Sequence, residues 1–95
     1  MFIIQLKYIA ALEEIDAAMK AHMAYLKKYY DKEIFLLSGR RVPRNGGIIL
    51  AAGDDKAAIK KIAEEDPFYK KGLSKFTLIQ FNASQANKNI GALIK

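Results

Sequence analysis

His22 is the only histidine among the 95 residues, and its place in the chain gives it a possible chemistry. It follows Met19 by three positions and precedes Leu26 by four, which sets it on or beside the apolar stripe of a helix. Asp66 follows Ile59 by seven and Ile62 by four, so by pattern it continues the apolar stripe of a second helix as far as Pro67. If those helices lie side by side on one sheet face, the two groups point inward and can meet. A carboxylate that holds one imidazole nitrogen leaves the other free as a general base or acid. Each residue also has a plainer structural reading. A lone histidine near an apolar stripe is commonly a satisfied core residue. Aspartate before proline commonly ends a helix, because the pre-proline residue is pushed out of the α region.

A second group of candidates is Ser38-Gly39-Arg40-Arg41, where a strand leaves the sheet. Gly39 would allow close backbone approach, and Arg40 or Arg41 would hold a carboxylate or phenolate; the plainer reading is a solvated hairpin loop. Gly46-Gly47 opens a strand rather than a helix, so it reads as hairpin geometry and not as a phosphate cradle. Gly72, after Tyr69-Lys70-Lys71, suits a helix C-cap. No cysteine is present, which excludes thiolate nucleophiles, disulfides and cysteine-ligated metals. One histidine among scattered carboxylates makes no metal site. Without a glycine-rich strand–helix turn, no nucleotide or redox cofactor is expected.

The elements that must position these residues follow from periodicity. Residues 2–8 alternate Phe2, Ile4, Leu6 and Tyr8 against Ile3, Gln5 and Lys7, a strand with one fully apolar face. Over 11–30 the period changes to three and four, through Leu12, Ile15, Met19, His22/Met23, Leu26 and Tyr30, which predicts one long amphipathic helix. Residues 33–39 and 46–53 are short apolar runs joined by the basic loop Arg40-Arg41-Val42-Pro43-Arg44-Asn45, an antiparallel hairpin. Residues 54–66 predict a second helix capped by Asp54 or Asp55, and 74–82 a fourth strand. The tail, 84–95, suits a short helix capped by Ser84 and weakened by Gly91.

The order β-α-β-β-α-β implies an α+β, ferredoxin-like antiparallel four-stranded sheet with both helices on one face. Residues 1–95 are expected to form a single domain. Strand 3 carries Ile48 and Leu50 on one face and Ile49 and Ala51 on the other, and strand 4 carries Phe76 and Leu78 against Ile79 and Phe81; helices can cover only one face, so a second apolar face is left bare. A second copy of the same sheet would cover it, so a homodimer is expected.

Hydrophobic residues make up 52% and charged residues 27%, the balance of a folded soluble chain. The formal charge of +6 comes from 16 Lys+Arg against 10 Asp+Glu, spread mostly over helix ends and solvent faces. Solubility accounts for it, and an anionic small molecule is the partner it would favour. The N-terminal apolar run is broken at Gln5 and Lys7 and has no basic n-region. It reads as neither signal peptide nor membrane span, so the expected place is the cytoplasm and no membrane is involved.

In order along the chain, "MFIIQLKY", His22-x-x-Tyr25-Leu26, "LLSG", "GGIILAAG" and "DPFYKKGL" resemble the YCII family of small YciI-like proteins, over roughly residues 1–82. The resemblance implies a dimeric α/β-barrel built on the ferredoxin-like fold, and a His–Asp pair at a pocket, which falls on His22 and Asp66. It gives weight to Ser38, Gly39 and Arg40 as pocket-lining, substrate-binding residues. Some relatives are dehydrochlorinases of chlorinated aromatics, and muconolactone isomerases share the barrel.

Three functions compete. A cofactor-independent isomerase or lyase would move a proton on a small polar or aromatic acid. A binding or sensor domain would keep the pocket without turnover. An RNA-binding domain of the same strand order would stack bases on aromatics of the central strands. The third strand has no aromatic or basic residue, so nucleic acid is not an expected partner.

Overall fold

The computed structural model of the chain describes residues 1–94. Four strands, β1 (Phe2–Tyr8), β2 (Phe35–Arg40), β3 (Gly46–Ala51) and β4 (Ser74–Gln80), form one sheet in the order β2-β3-β1-β4. All neighbouring pairs are antiparallel. Helices α1 (Leu12–Ala17) and α2 (Met19–Asp31) connect β1 to β2, and α3 (Lys56–Glu64) and α4 (Pro67–Lys70) connect β3 to β4. This is the α+β, ferredoxin-like βαββαβ arrangement that the sequence predicts.

Register explains the two faces of the sheet. Phe2 pairs with Ala51 and Gln80, Ile4 with Ile49 and Leu78, and Leu6 with Gly47 and Phe76, so these side chains share the helix-covered face. Phe2, Ile4, Ile49 and Ala51 are buried there against Tyr25, Leu26, Tyr29, Phe35 and Ile59. At about 1.5–3 kcal/mol for each fully buried large side chain, this layer holds the helices on the sheet. A smaller cluster of Ile15, Ala18 and Phe68 fastens α1 and α4 beyond the sheet end. On the other face Ile3, Ile48 and Leu50 are half-buried, while Leu37, Ile79 and Phe81 are exposed at 52%, 44% and 36%.

Several expectations need correction. The helix over 11–30 is two segments. At Ala18, with φ −97° and ψ 0°, the amide donates to both Ile15 O and Glu14 O, which tightens the turn between α1 and α2. The buried stripe is Ile15, Ala18, His22, Tyr25, Leu26 and Tyr29, whereas Leu12 and Met23 are exposed. Tyrosine takes the inward places because its hydroxyls find partners: Tyr25 donates to Ile62 O at 2.7 Å, and Tyr29 donates to Glu65 Oε1 at 2.6 Å. The second helix stops at Glu64, two residues early. Its cap is Asp55, which accepts from the Ala58 amide at 3.2 Å. The helix expected over 84–95 is reduced to a 3-10 turn at Gly91–Ile94, and Lys95 lies outside the described residues. Among the described residues no helix is long and apolar enough to cross a membrane.

Candidate active site

Asp66 does not lie on the α3 stripe. Pro67 excludes it from the α region, and its backbone turns to φ −59° and ψ 125°. In that conformation it becomes the N-cap of α4, with Pro67 in the first turn and the side chain accepting from the Phe68 amide at 2.9 Å. The cap swings the carboxyl toward α2. Asp66 Oδ1 lies 2.8 Å from His22 Nδ1, and the two residues are 1% and 7% exposed. A carboxylate only accepts, so Nδ1 carries the proton in this pair and the neutral ring's lone pair is on Nε2. Asp66 Oδ2 is buried without a partner among the described residues.

The His22 ring lines a cavity of about 420 Å³ between α2, α4 and one end of the sheet. Leu6, Met19, Leu26 and Ile49 make most of its wall apolar; Tyr8, Ser38 and Arg40 add polar groups. The cavity thus gathers His22, Ser38, Gly39 and Arg40, with Asp66 hydrogen-bonded to the imidazole. Ser38 and Arg40 stand opposite Ile49 and Gly47, on the helix-covered face. Ser38 Oγ is hydrogen-bonded to the Tyr30 hydroxyl, which orients it. Gly39 falls on the opposite face, paired with Ile48, and a Cβ there would meet nothing within 4 Å. Close approach is therefore not the reason for glycine at 39. It is the reason at 46, where a Cβ would stand 1.8 Å from the Leu6 carbonyl oxygen. Arg41 parts from Arg40 and borders a separate hollow beside Lys7 and Lys75.

Arg44 pairs with Asp16 and ties the hairpin loop to α1. The hydrogen bond from Arg44 holds the Asp16 carboxyl below the usual carboxylate range, and the charge on Arg40 acts in the same direction.

Sequence reasoning left Phe68 and Tyr8 out of the site. The Phe68 ring stacks on His22, with centroids 4.0 Å apart and planes 7° from parallel, and meets Tyr8 edge-on at 5.9 Å. The inward phase of β1 marked Tyr8, and adjacency to Asp66 marked Phe68. Neither signal separates a site residue from a core one. Among the described residues no group of three or more His, Asp or Glu stands together as a metal cage.

Residues 1–82 match the YCII-related domain. No curated protein matches the chain. Among solved structures, the chain is similar to the 5-chloro-2-hydroxyhydroquinone dehydrochlorinase TftG of Burkholderia phenoliruptrix AC1100, in complex with 2,5-dihydroxybenzoquinone. The two align with a TM-score of 0.73 at 21% identity, over 84% of this chain and 91% of the other.

Proposed function

The chain belongs to the YCII-related family, and we propose that it is a small cofactor-independent enzyme that transfers a proton on a small polar or aromatic acid. The hydrogen-bonded His22–Asp66 pair at an apolar cavity carries this reading. His22 Nε2 takes a proton from carbon next to a carbonyl, and Asp66 orients the ring and balances the imidazolium. Arg40 and the Ser38 hydroxyl hold the substrate's anionic oxygen, where negative charge grows as the proton leaves. Returning the proton to a neighbouring carbon gives isomerisation. Loss of a leaving group with its bonding pair gives elimination and a new C=C bond. The similar fold of a dehydrochlorinase supports the second outcome as one chemistry such a scaffold performs.

The acting form is a homodimer with outer sheet faces packed together, which would cover Leu37, Ile79 and Phe81.

A panel of small aromatic and enolic acids, including halogenated hydroxyquinols, tests the reading by thermal shift followed by turnover. At least one stabilising compound is consumed, and His22→Gln lowers that turnover by about 10²–10⁴-fold. Stabilisation without consumption by any compound, or full turnover in the variant, contradicts the enzyme reading; the first result would make the chain a binding or sensor domain.

A further inference from the structure

We propose that Phe68 is the positioning residue of the His22–Asp66 pair, fixing both partners at once; this rests on the proton-transfer reading and specifies what holds its geometry. The Phe68 backbone amide donates to Asp66 Oδ1, the same oxygen that receives His22 Nδ1. The Phe68 ring stacks 4.0 Å from the imidazole, 7° from parallel. One residue therefore sets the acceptor from its main chain and the plane of the base from its side chain.

The stack supplies what the hydrogen bond does not. The χ2 torsion of histidine has a broad profile, and a single Nδ1···Oδ1 bond does little to hold the ring plane. Tilting bends Nδ1–H out of line with Oδ1, which weakens the bond that selects the tautomer, and carries Nε2 away from the cavity. A parallel ring against one imidazole face blocks the tilt and leaves the Nε2 edge open.

Phe68 can bear this because it is itself clamped. It is 1% exposed, packs with Ile15 and Ala18, and has Tyr8 edge-on. Behind it α4 closes in a Schellman motif: Leu73 N–H donates to Phe68 O at 2.8 Å and Gly72 N–H to Tyr69 O at 3.0 Å, with Gly72 at φ 70°. Both the amide and the carbonyl of Phe68 are thus engaged, and a four-residue helix serves as a rigid mount.

The test is long-range ¹H–¹⁵N NMR of the single histidine in wild type, Phe68→Leu and Phe68→Tyr, with unfolding curves confirming that each is folded. Leucine keeps the amide and the apolar character but removes the ring; tyrosine keeps the ring. The expected result is a predominant Nδ1–H tautomer in wild type and Phe68→Tyr. In Phe68→Leu the Nε2–H form becomes comparable with it. A folded Phe68→Leu with the wild-type tautomer overturns the inference, as does a Phe68→Tyr that behaves like Phe68→Leu. A wild type lacking the Nδ1–H form sinks the His22–Asp66 reading itself, a separate failure. Should Phe68→Leu not fold, ¹³C relaxation of the wild-type His22 ring decides. A ring order parameter near the rigid value of about 0.85 supports the stack, and one under about 0.6 overturns it.

Discussion

At the residue scale the central object is one carboxylate oxygen with two donors. Asp66 Oδ1 receives the Phe68 amide and His22 Nδ1, both within 2.9 Å. Hydrogen bonds to an ionised acceptor are about twice as strong as neutral ones, and this pair is out of water. The tautomer follows: a proton on Nε2 would put two lone pairs face to face across 2.8 Å. The neutral ring is therefore expected to be Nδ1–H, with Nε2 unprotonated. Helical spacing and the family resemblance together pointed to His22 and Asp66 in the sequence. The reason for Asp66 was not legible there. Asp66 reaches His22 because Pro67 expels it from the helix and makes it a cap, and a stripe argument cannot show which way a cap side chain turns.

At the element scale the strands were legible because alternation is local, and because one phase of each carries the apolar side chains that the register brings together. The break at Ala18 was not, since an alanine in an amphipathic run gives no sign of a tightened turn. Which side of α2 faces inward was also ambiguous, because two tyrosines compete with methionines. Their hydroxyl partners on α3 and just beyond it decided the matter, and that tie is testable. Burial and the hydrogen bond to Glu65 push the Tyr29 hydroxyl up to about 12. A group whose folded pKa is raised contributes stability that is whole below its unfolded value, about 10, and is lost as pH rises through the folded value. Tyr29→Phe should therefore cost about 1 kcal/mol at pH ~8. The gap between wild type and variant should narrow from pH ~10 to ~12, as followed by urea unfolding across that range. A gap independent of pH would show that the hydroxyl does not couple α2 to the segment after α3.

At the scale of the whole molecule, the chain buries one side of its sheet and leaves one end of the other side apolar, while Gln5, Lys7, Lys75 and Thr77 occupy the opposite end. Ile3, Leu37, Ile48, Leu50, Ile79 and Phe81 form a surface from all four strands and the residue after β4. Small domains bury a modest share of their surface, and a contiguous apolar sheet face is costly to leave wet. The sequence carried this feature openly, since strands 3 and 4 are apolar in both phases. Sedimentation equilibrium should give twice the chain mass for wild type and the monomer mass for Ile79→Glu, whose charge would be buried in the face-to-face pairing. A monomeric wild type would rule out the homodimer.

The decisive measurement is the ¹⁵N spectrum of His22 in the wild-type protein, taken where rising pH no longer changes it. With one histidine in the chain, both ring nitrogens are assigned without ambiguity. The expected spectrum shows a protonated Nδ1 with a directly bonded hydrogen, and an Nε2 resonating as an unprotonated acceptor. An Nε2–H ring, or rapid averaging between the two forms, would contradict a base held by Asp66 and aimed into the cavity.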